Sequence, residues 1–128
     1  MALIFRDQPL HAVSPQDAGL ARIAFDTPDI LTGIKLGTIP AGAMPQLVQI
    51  AVPWVFDNGA YLNMGFAAGG VEWAVNVDLT AAGVVLSATW ANITVLPLAS
   101  DREVWAKILH GGTPPTQGWV SPSILYSY

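Results

Sequence analysis

Residues 46–66, QLVQIAVPWVFDNGAYLNMGF, contain two apolar runs in which hydrophobic side chains recur at every second position. Successive side chains of a strand point to opposite sides, so this period of two predicts strands with one apolar face. The residues that share a face are Val48, Ile50, Val52, Trp54 and Phe56 in the first run, and Leu62, Met64 and Phe66 in the second. Asn58 and Gly59 lie between the runs, and Asn-Gly is the strongest short signal for a hairpin because both residues tolerate positive φ. The stretch therefore predicts two antiparallel strands joined by a tight turn.

The same alternation continues through the rest of the chain. Residues 72–79, EWAVNVDL, alternate most sharply, and further runs with this period lie at residues 21–25, 83–90, 103–109 and 119–128. Turn signals recur about every 8 to 12 residues with no long helical pattern between them, as in sandwiches and barrels. We therefore predict an all-β fold, an antiparallel β-sandwich or jelly-roll-like domain of about eight strands with an N-terminal arm.

The remaining local signals concern one short helix, two prolines and the N-terminal segment. Ser14 can cap a helix that has Pro15 at its first position and ends at Gly19. Pro53 and Pro122 have no backbone N–H to donate, so each is expected on an edge strand or at a bulge. Residues 1–18 are less patterned and are predicted to form an arm that crosses to a neighbouring molecule, whereas residues 19–128 form the sandwich domain.

The composition excludes several classes of function. The 128 residues include five Lys or Arg and nine Asp or Glu, a net charge of −4, and charged residues make up only 11%, against about 25% in typical domains. No basic stripe is present to bind nucleic acid or an anionic membrane. No apolar run approaches the roughly 18 residues of a membrane-spanning helix, and the apolar part of the N-terminus is too short for a signal peptide. Without cysteine there is no disulfide or thiolate metal site, which fits a reducing compartment.

Reactive chemistry is sparse. His11 and His110 are far apart in the sequence and form no metal-ligand motif. Asp26 and Asp29 flank Pro28 in a turn, where aspartate usually accepts backbone hydrogen bonds, and they lack the ligand spacing of a calcium loop. Neither a nucleophile elbow nor a phosphate-binding glycine motif is present. We therefore expect a protein that is not an enzyme and that has no catalytic residue, metal or cofactor.

The tryptophans divide into two groups. Trp54, Trp73 and Trp90 are in register with aliphatic residues and are predicted to lie in the core. Trp105 and Trp119 are out of register with the apolar faces, and Trp side chains at interfaces supply a large area and a hydrogen-bond donor. They are therefore candidate interface residues, together with Tyr126 and Tyr128. The high apolar content has two explanations, either surface covered by other subunits or a dense Val/Ala-rich sandwich.

Several segments resemble small virion proteins of tailed bacteriophages that are encoded beside the major capsid protein. The resemblance rests on FDTPDILTGIKLGTIPAGA at residues 25–43, FDNGAYLNMGFA at 56–67, VDLTAAGVV at 77–85 and EVWAKI at 103–108, and it covers about residues 23–110. It implies a β-sandwich subunit on the outer surface of a phage head, homotrimeric, made in the host cytoplasm and without catalytic residues. The implied partners are the major capsid protein and further copies of the chain itself.

Three hypotheses follow for the function. The first is a capsid decoration or cement protein whose contacts include Leu3, Ile4 and Phe5 of the arm. The second is another virion part, such as a tail, fibre or head-fibre component that contacts a glycan through an exposed Trp105 or Trp119. The third is an enzyme or small-ligand module, for which a pocket lined by His110 and a carboxylate would be required.

Overall fold

The computed structural model describes residues 10–87 and 97–128, which form a sandwich of two antiparallel β-sheets. The predicted all-β sandwich is therefore confirmed. The elements in chain order are β1 (Leu10–Val13), a 3₁₀ helix (Pro15–Ala18), β2 (Ile23–Ala24), β3 (Ile34–Ile39), β4 (Met44–Trp54), β5 (Tyr61–Gly65), β6 (Ala74–Asp78), β7 (Gly83–Ser87), β8 (Arg102–Leu109) and β9 (Trp119–Ser127).

The strands are divided between two sheets, here called sheet I and sheet II. Sheet I has the order β1-β9-β4-β7, and β2 also pairs with β9, beside its N-terminal end. Sheet II has the order β3-β8-β5-β6. Strand β9 is therefore interior, because β4 lies on one side of it and β1 and β2 share the other.

The core lies between the two sheets, and the alternation of the sequence places the side chains there. On β4, Val48 and Ile50 point inward, and on β8, Val104 and Ile108 do so, as the period of two predicts. Trp73 lies just before β6, is fully buried and donates its indole N–H to the Glu103 carbonyl at 3.2 Å. This confirms its predicted core position.

The turn at residues 57–59 has the predicted backbone conformation but does not form a hairpin. Asn58 and Gly59 have φ of 57° and 67°, yet β4 belongs to sheet I and β5 to sheet II. Phe56 is buried, and its N–H bonds to the Leu79 carbonyl at 2.9 Å, which directs the chain from one sheet to the other. The predicted hairpin is therefore wrong, because the local sequence specifies the turn but not the partner of the strand that follows.

Strand β6 departs from its predicted alternation. The pairing with β5 shifts between Leu62 and Met64, which leaves an extra residue on β6. Asn76 has a φ of 51°, and its N–H donates at 2.6 Å to the side-chain oxygen of the buried Asn63. The bulge reverses the facing of the strand, so that Ala74 is buried and Val75 is 45% exposed.

The segment before β2 packs on the same chain. Residues 10–13 of the predicted arm form β1 and pair with β9. The predicted short helix is present as one turn of 3₁₀ helix, in which the Ser14 N–H donates to the Asp17 carboxylate at 2.7 Å. Gly19 ends the turn with a φ of 77°. The boundary at residue 18 and a contact between the arm and a neighbour stay predictions.

The two strand prolines occupy different kinds of position. Pro53 lies where the β4–β9 pairing shifts between Ala51 and Trp54, so it is at a bulge, as predicted. Pro122 lies in β9, which is an interior strand, and the β4–β9 pairing has no bulge at this residue. The predicted edge or bulge position of Pro122 is therefore wrong. Pro122 lies in the gap between the β9 residues that pair with β2 and those that pair with β1. No ladder bond is lost on that side.

The loop before β9 is held by Asp57. The carboxylate accepts the backbone N–H of Thr116 at 2.7 Å and also its hydroxyl. These two hydrogen bonds lower the pKa of Asp57 below its ordinary value of 3.8, and the bond from the hydroxyl has the larger effect. A carboxyl whose pKa is lower in the folded than in the unfolded state stabilises the fold above its unfolded-state pKa. That stabilisation is lost as the pH falls through the folded-state value.

We expect Thr116→Val to reveal this pH dependence. The variant lacks the hydroxyl donor, so its unfolding temperature should lie below that of the wild type near neutral pH. The difference should shrink as the pH is lowered below about 4, where Asp57 becomes protonated in the unfolded state. Thermal unfolding followed by circular dichroism over this range checks it, and a difference that stays constant with pH would contradict the assignment.

Gly65 is required by the close packing of the β5–β6 hairpin. A Cβ at this position would lie 2.5 Å from the Cα of Gly70 and 2.6 Å from Oε1 of Glu72. That Oε1 atom already accepts the Phe66 N–H at 2.8 Å. We expect Gly65→Ala to cost about 1–3 kcal/mol in the free energy of unfolding, the usual cost of an added methyl group in a filled site.

The matched control is Gly112→Ala, since a Cβ at Gly112 would have nothing within 4 Å. It should change the free energy of unfolding by less than about 0.5 kcal/mol. Urea denaturation of both variants measures the two values, and equal costs would show that crowding at Gly65 is not the cause.

Candidate interface: the uncharged sheet

The two sheets differ sharply in charge. The five strands of sheet I contain no Asp, Glu, Lys or Arg. The four strands of sheet II carry five charged residues, Lys35, Asp78, Arg102, Glu103 and Lys107. Charged side chains are therefore absent from the strands of sheet I. The outer surface of sheet I is the candidate interface.

The outer surface of sheet I, here called the uncharged face, is formed by alternate residues of its strands. Its centre consists of small or uncharged side chains, and its two ends are bulkier. The residues that point outward include Leu10, Ala12, Ala24, Leu47, Gln49, Ala51, Trp54, Val84, Trp119, Ser121, Ser123 and Leu125. Leu10, Trp54 and Val84 are 60%, 47% and 57% exposed. These three lie on β1, β4 and β7, and the outward residues of β4 and β9 between them are half-buried.

Trp54 is on the surface and not in the core, so its predicted position is wrong. The bulge at Pro53 inserts one residue into β4 and reverses the facing of the residues after it. Trp54 consequently lies opposite Trp119 of β9 and meets Phe25 edge to face, with ring centroids 6.3 Å apart. The alternation could not show this reversal, although a proline inside a strand is a signal for a bulge.

Of the predicted interface residues, Trp119 lies on the uncharged face, at the end that also carries Trp54. It is half-buried, and the Arg22 guanidinium lies 4.8 Å from the centre of its ring. A cation over an indole face is attracted by the ring electrons. Trp54, Trp119, Phe25 and Arg22 thus form one cluster, which we call the aromatic end, and tryptophan and arginine are the residues most enriched at binding hot spots.

Trp105 is on the opposite side of the molecule. It lies on β8 of sheet II, and its indole N–H donates to Oε1 of Glu103 at 2.7 Å. Lys35 binds the other oxygen of Glu103 at 3.2 Å. The pKa of Glu103 is lowered mainly by the hydrogen bond from Trp105, and Lys35 lowers it further. The structure therefore does not bring Trp105 and Trp119 together, and Trp105 belongs to a polar, solvated surface.

Tyr126 and Tyr128 lie near the end of sheet I remote from the aromatic end. Tyr126 stacks on His11, with ring centroids 5.3 Å apart. The pKa of Tyr126 is raised mainly by burial, and the charges of Asp17 and Tyr128 contribute less. Tyr128 is 67% exposed. Leu3, Ile4 and Phe5 of the arm lie outside the described residues, as does Trp90, whose predicted core position is therefore untested. All contacts assigned to these residues stay predictions.

Within residues 10–87 and 97–128, no three His, Asp or Glu side chains are close enough to hold a metal ion, and no helix is long and apolar enough to cross a membrane. Surface depressions of about 360 and 350 Å³ lie beside Asp78 and in the turn at residues 25–32. Neither is lined by His110, whose Nδ1 lies 2.7 Å from the Gly111 carbonyl oxygen.

The uncharged face was missed by the sequence reasoning, but a simple signal was available. Residues 36–56, 79–100 and 108–128 are three long runs without Asp, Glu, Lys or Arg. They contain β4, β7 and β9, which are neighbours in sheet I. The runs are visible in the sequence, whereas their meeting in one sheet depends on pairing between distant strands.

Two solved structures have a similar fold. A chain of the capsid asymmetric unit of cyanophage Pam1 is similar with a TM-score of 0.62 and 17% identity, over 94% of this chain and 84% of that chain. A chain of the capsid of Ralstonia phage GP4 gives a TM-score of 0.54 and 18% identity, over 94% and 83%. No family model and no curated protein matches the sequence. At these identities the likeness concerns the fold.

Replacing tryptophan should separate the core from the candidate interface. Trp73 is fully buried, so Trp73→Ala should cost about 3–5 kcal/mol in the free energy of unfolding. Trp54 is about half exposed, and we expect Trp54→Ala to cost only about 1 kcal/mol. Urea denaturation provides both values, and a cost for Trp54 as large as that for Trp73 would mean that Trp54 serves the fold and not a contact.

Proposed function

We propose that this chain is a structural subunit of a phage virion, a head decoration or cement protein bound to the outer surface of the capsid. The observation that carries the proposal is the fold, which is shared over 94% of the chain with chains from two phage capsids. The uncharged face supports it, because a subunit that holds a shell together needs broad contacts and no chemistry. The protein is accordingly proposed to have no enzymatic activity.

The energy of attachment would come from apolar surface removed from water. Burial yields about 25 cal/mol per Å², from which the costs of association are subtracted. The uncharged face fits this mode because the strands of sheet I carry no charge to desolvate, and burying an unpaired charge is costly. The partners are the major capsid protein and copies of the chain itself, and the sequence resemblance implies a homotrimer.

A second candidate is a tail, fibre or head-fibre component that contacts a glycan. The aromatic end favours it, because Trp54 is 47% exposed beside Trp119 and aromatic faces stack on sugar rings. Binding to a glycan array that is lost in Trp54→Ala would support this candidate. Binding retained by the variant, or absent in the wild type, would count against it.

The composition of the particle decides between these locations. We expect purified virions to contain the chain in a copy number comparable with that of the major capsid protein, and electron microscopy to show it on the outside of the head. A few copies per particle, located at the tail or fibres, would support the second candidate. Absence of the chain from purified virions would overturn the virion role altogether.

A further inference from the structure

We infer that Asn58 is a site of spontaneous deamidation in the folded protein, and that the loop at residues 111–118 controls the rate of this modification. Asn58 and Gly59 form the exposed tip of the turn between β4 and β5. Deamidation is a slow chemical change of the protein itself, so the inference is independent of the proposed virion role.

The two reacting groups are on the surface of the protein. Attack on an asparagine side chain by the next backbone nitrogen is least hindered when the next residue is glycine, which has no Cβ. Gly59 follows Asn58, and its N–H has no acceptor among the residues that the structure describes. The other asparagines of the chain, among them Asn63 and Asn76, precede larger residues. Asn58 is therefore the asparagine most open to the reaction.

The reaction needs no cofactor and no oxidant. The Gly59 nitrogen gives up its proton to a base in the solvent and attacks Cγ of Asn58. The bond from Cγ to Nδ2 breaks, and Nδ2 leaves as ammonia with a proton supplied by water. Water then opens the resulting cyclic imide at one carbonyl or the other, which leaves aspartate or isoaspartate at position 58.

The loop at residues 111–118 holds the Asn58 side chain away from this reaction. Nδ2 of Asn58 donates to the carbonyl oxygen of Pro114 at 2.9 Å, and the backbone carbonyl of Asn58 accepts the Gly111 N–H at 2.8 Å. Cγ must turn toward the Gly59 nitrogen for the attack, whereas the bond to Pro114 keeps the amide directed at the loop. The reaction therefore waits for the loop to open.

The loop is held mainly by hydrogen bonds at the surface, so a local opening releases Asn58. Thr116 binds Asp57, and the Gln117 side chain donates to the Val55 carbonyl at 3.1 Å. Five of the eight loop residues are exposed. Segments with few buried contacts and exposed hydrogen bonds open at a lower free energy than the whole fold. We therefore expect Asn58 to react without global unfolding.

Deamidation removes an anchor of the loop. Aspartate at position 58 would place a carboxylate oxygen where Nδ2 now donates to Pro114, and two acceptor oxygens repel each other. The new charge would also follow directly after Asp57, whose carboxylate binds Thr116. Isoaspartate in addition lengthens the main chain within the turn. Either product therefore loosens the loop that leads into β9.

Peptide mapping by mass spectrometry tests the site. The purified protein is kept at mildly alkaline pH under conditions in which it stays folded, and in parallel in urea. We expect deamidation at Asn58 in both samples, and faster deamidation in urea, where the loop no longer holds the side chain. Asn63 and Asn76 are the internal controls and should remain intact in the folded sample.

Two variants separate local opening of the loop from unfolding of the whole chain. Thr116→Val removes one hydrogen bond of the loop and should speed deamidation of Asn58 roughly fivefold, the effect of a typical hydrogen bond. Gly65→Ala is the matched control, because it crowds the β5–β6 hairpin in sheet II and leaves the contacts of the loop unchanged. It should deamidate at the wild-type rate. Circular dichroism establishes that both variants are folded.

Hydrogen exchange tests the effect of the product. Asn58→Asp imitates the aspartate form, and Asn58→Gly is its control, since glycine keeps the positive φ and loses the contact to Pro114 without adding a charge. The backbone amides of Gly111 and Thr116, which donate to Asn58 and Asp57, should exchange fastest in Asn58→Asp. Amides of β4 should exchange alike in all three proteins.

Three results would overturn the inference. The first is an Asn58 that stays intact in the folded protein over the time in which the chain in urea is modified. The second is a rate in Thr116→Val equal to that of the wild type, or an equal acceleration in Gly65→Ala, which would mean that global unfolding controls the reaction. The third is exchange of the loop amides in Asn58→Asp at the wild-type rate.

Discussion

The pairing of β4 with β9 is the interaction on which the rest of the structure depends. It joins the middle of the chain to its C-terminal segment and forms the centre of sheet I, onto which β1, β2 and β7 add. Its inward side chains, among them Val48, Ile50 and Ile124, form one wall of the core. Its outward side chains form the uncharged face. One ladder of backbone hydrogen bonds therefore determines both the packing of the interior and the character of the exposed surface.

Irregularities in the ladders decide which side chains reach the surface. A bulge reverses the facing of the residues that follow it. In β4 the bulge at Pro53 moves Trp54 outward, and in β6 the bulge at Asn76 exposes Val75. The second bulge is held by the Asn63 side chain, which is buried and accepts the Asn76 N–H. The surface of this protein thus depends on a few positions that interrupt the regular pattern.

The sequence predicted the fold class and most strand positions because both follow from local alternation. Alternation placed Val104, Ala106 and Ile108 correctly in the core, and capping chemistry placed the turn at Ser14. It failed where a bulge changes the period, as at Trp54. It also could not show that the strands flanking Asn58 belong to different sheets, because pairing is decided by distant residues. The uncharged face could not be predicted for the same reason, because its strands are brought together by pairing between distant segments.

The order in which the chain visits the two sheets has a kinetic consequence. Among the described strands, β5 and β6 are the one pair of chain neighbours that hydrogen-bond to each other, and most other connections cross from one sheet to the other. Folding must therefore close long loops before most native contacts form, which is slow and places such topologies in the millisecond-to-second range. The reverse path is hindered as well, since among the described strands only the β5–β6 hairpin, at the edge of sheet II, could leave as a pair of chain neighbours. A protein built in this way can persist through a transient local opening for reasons of topology, in addition to its equilibrium stability.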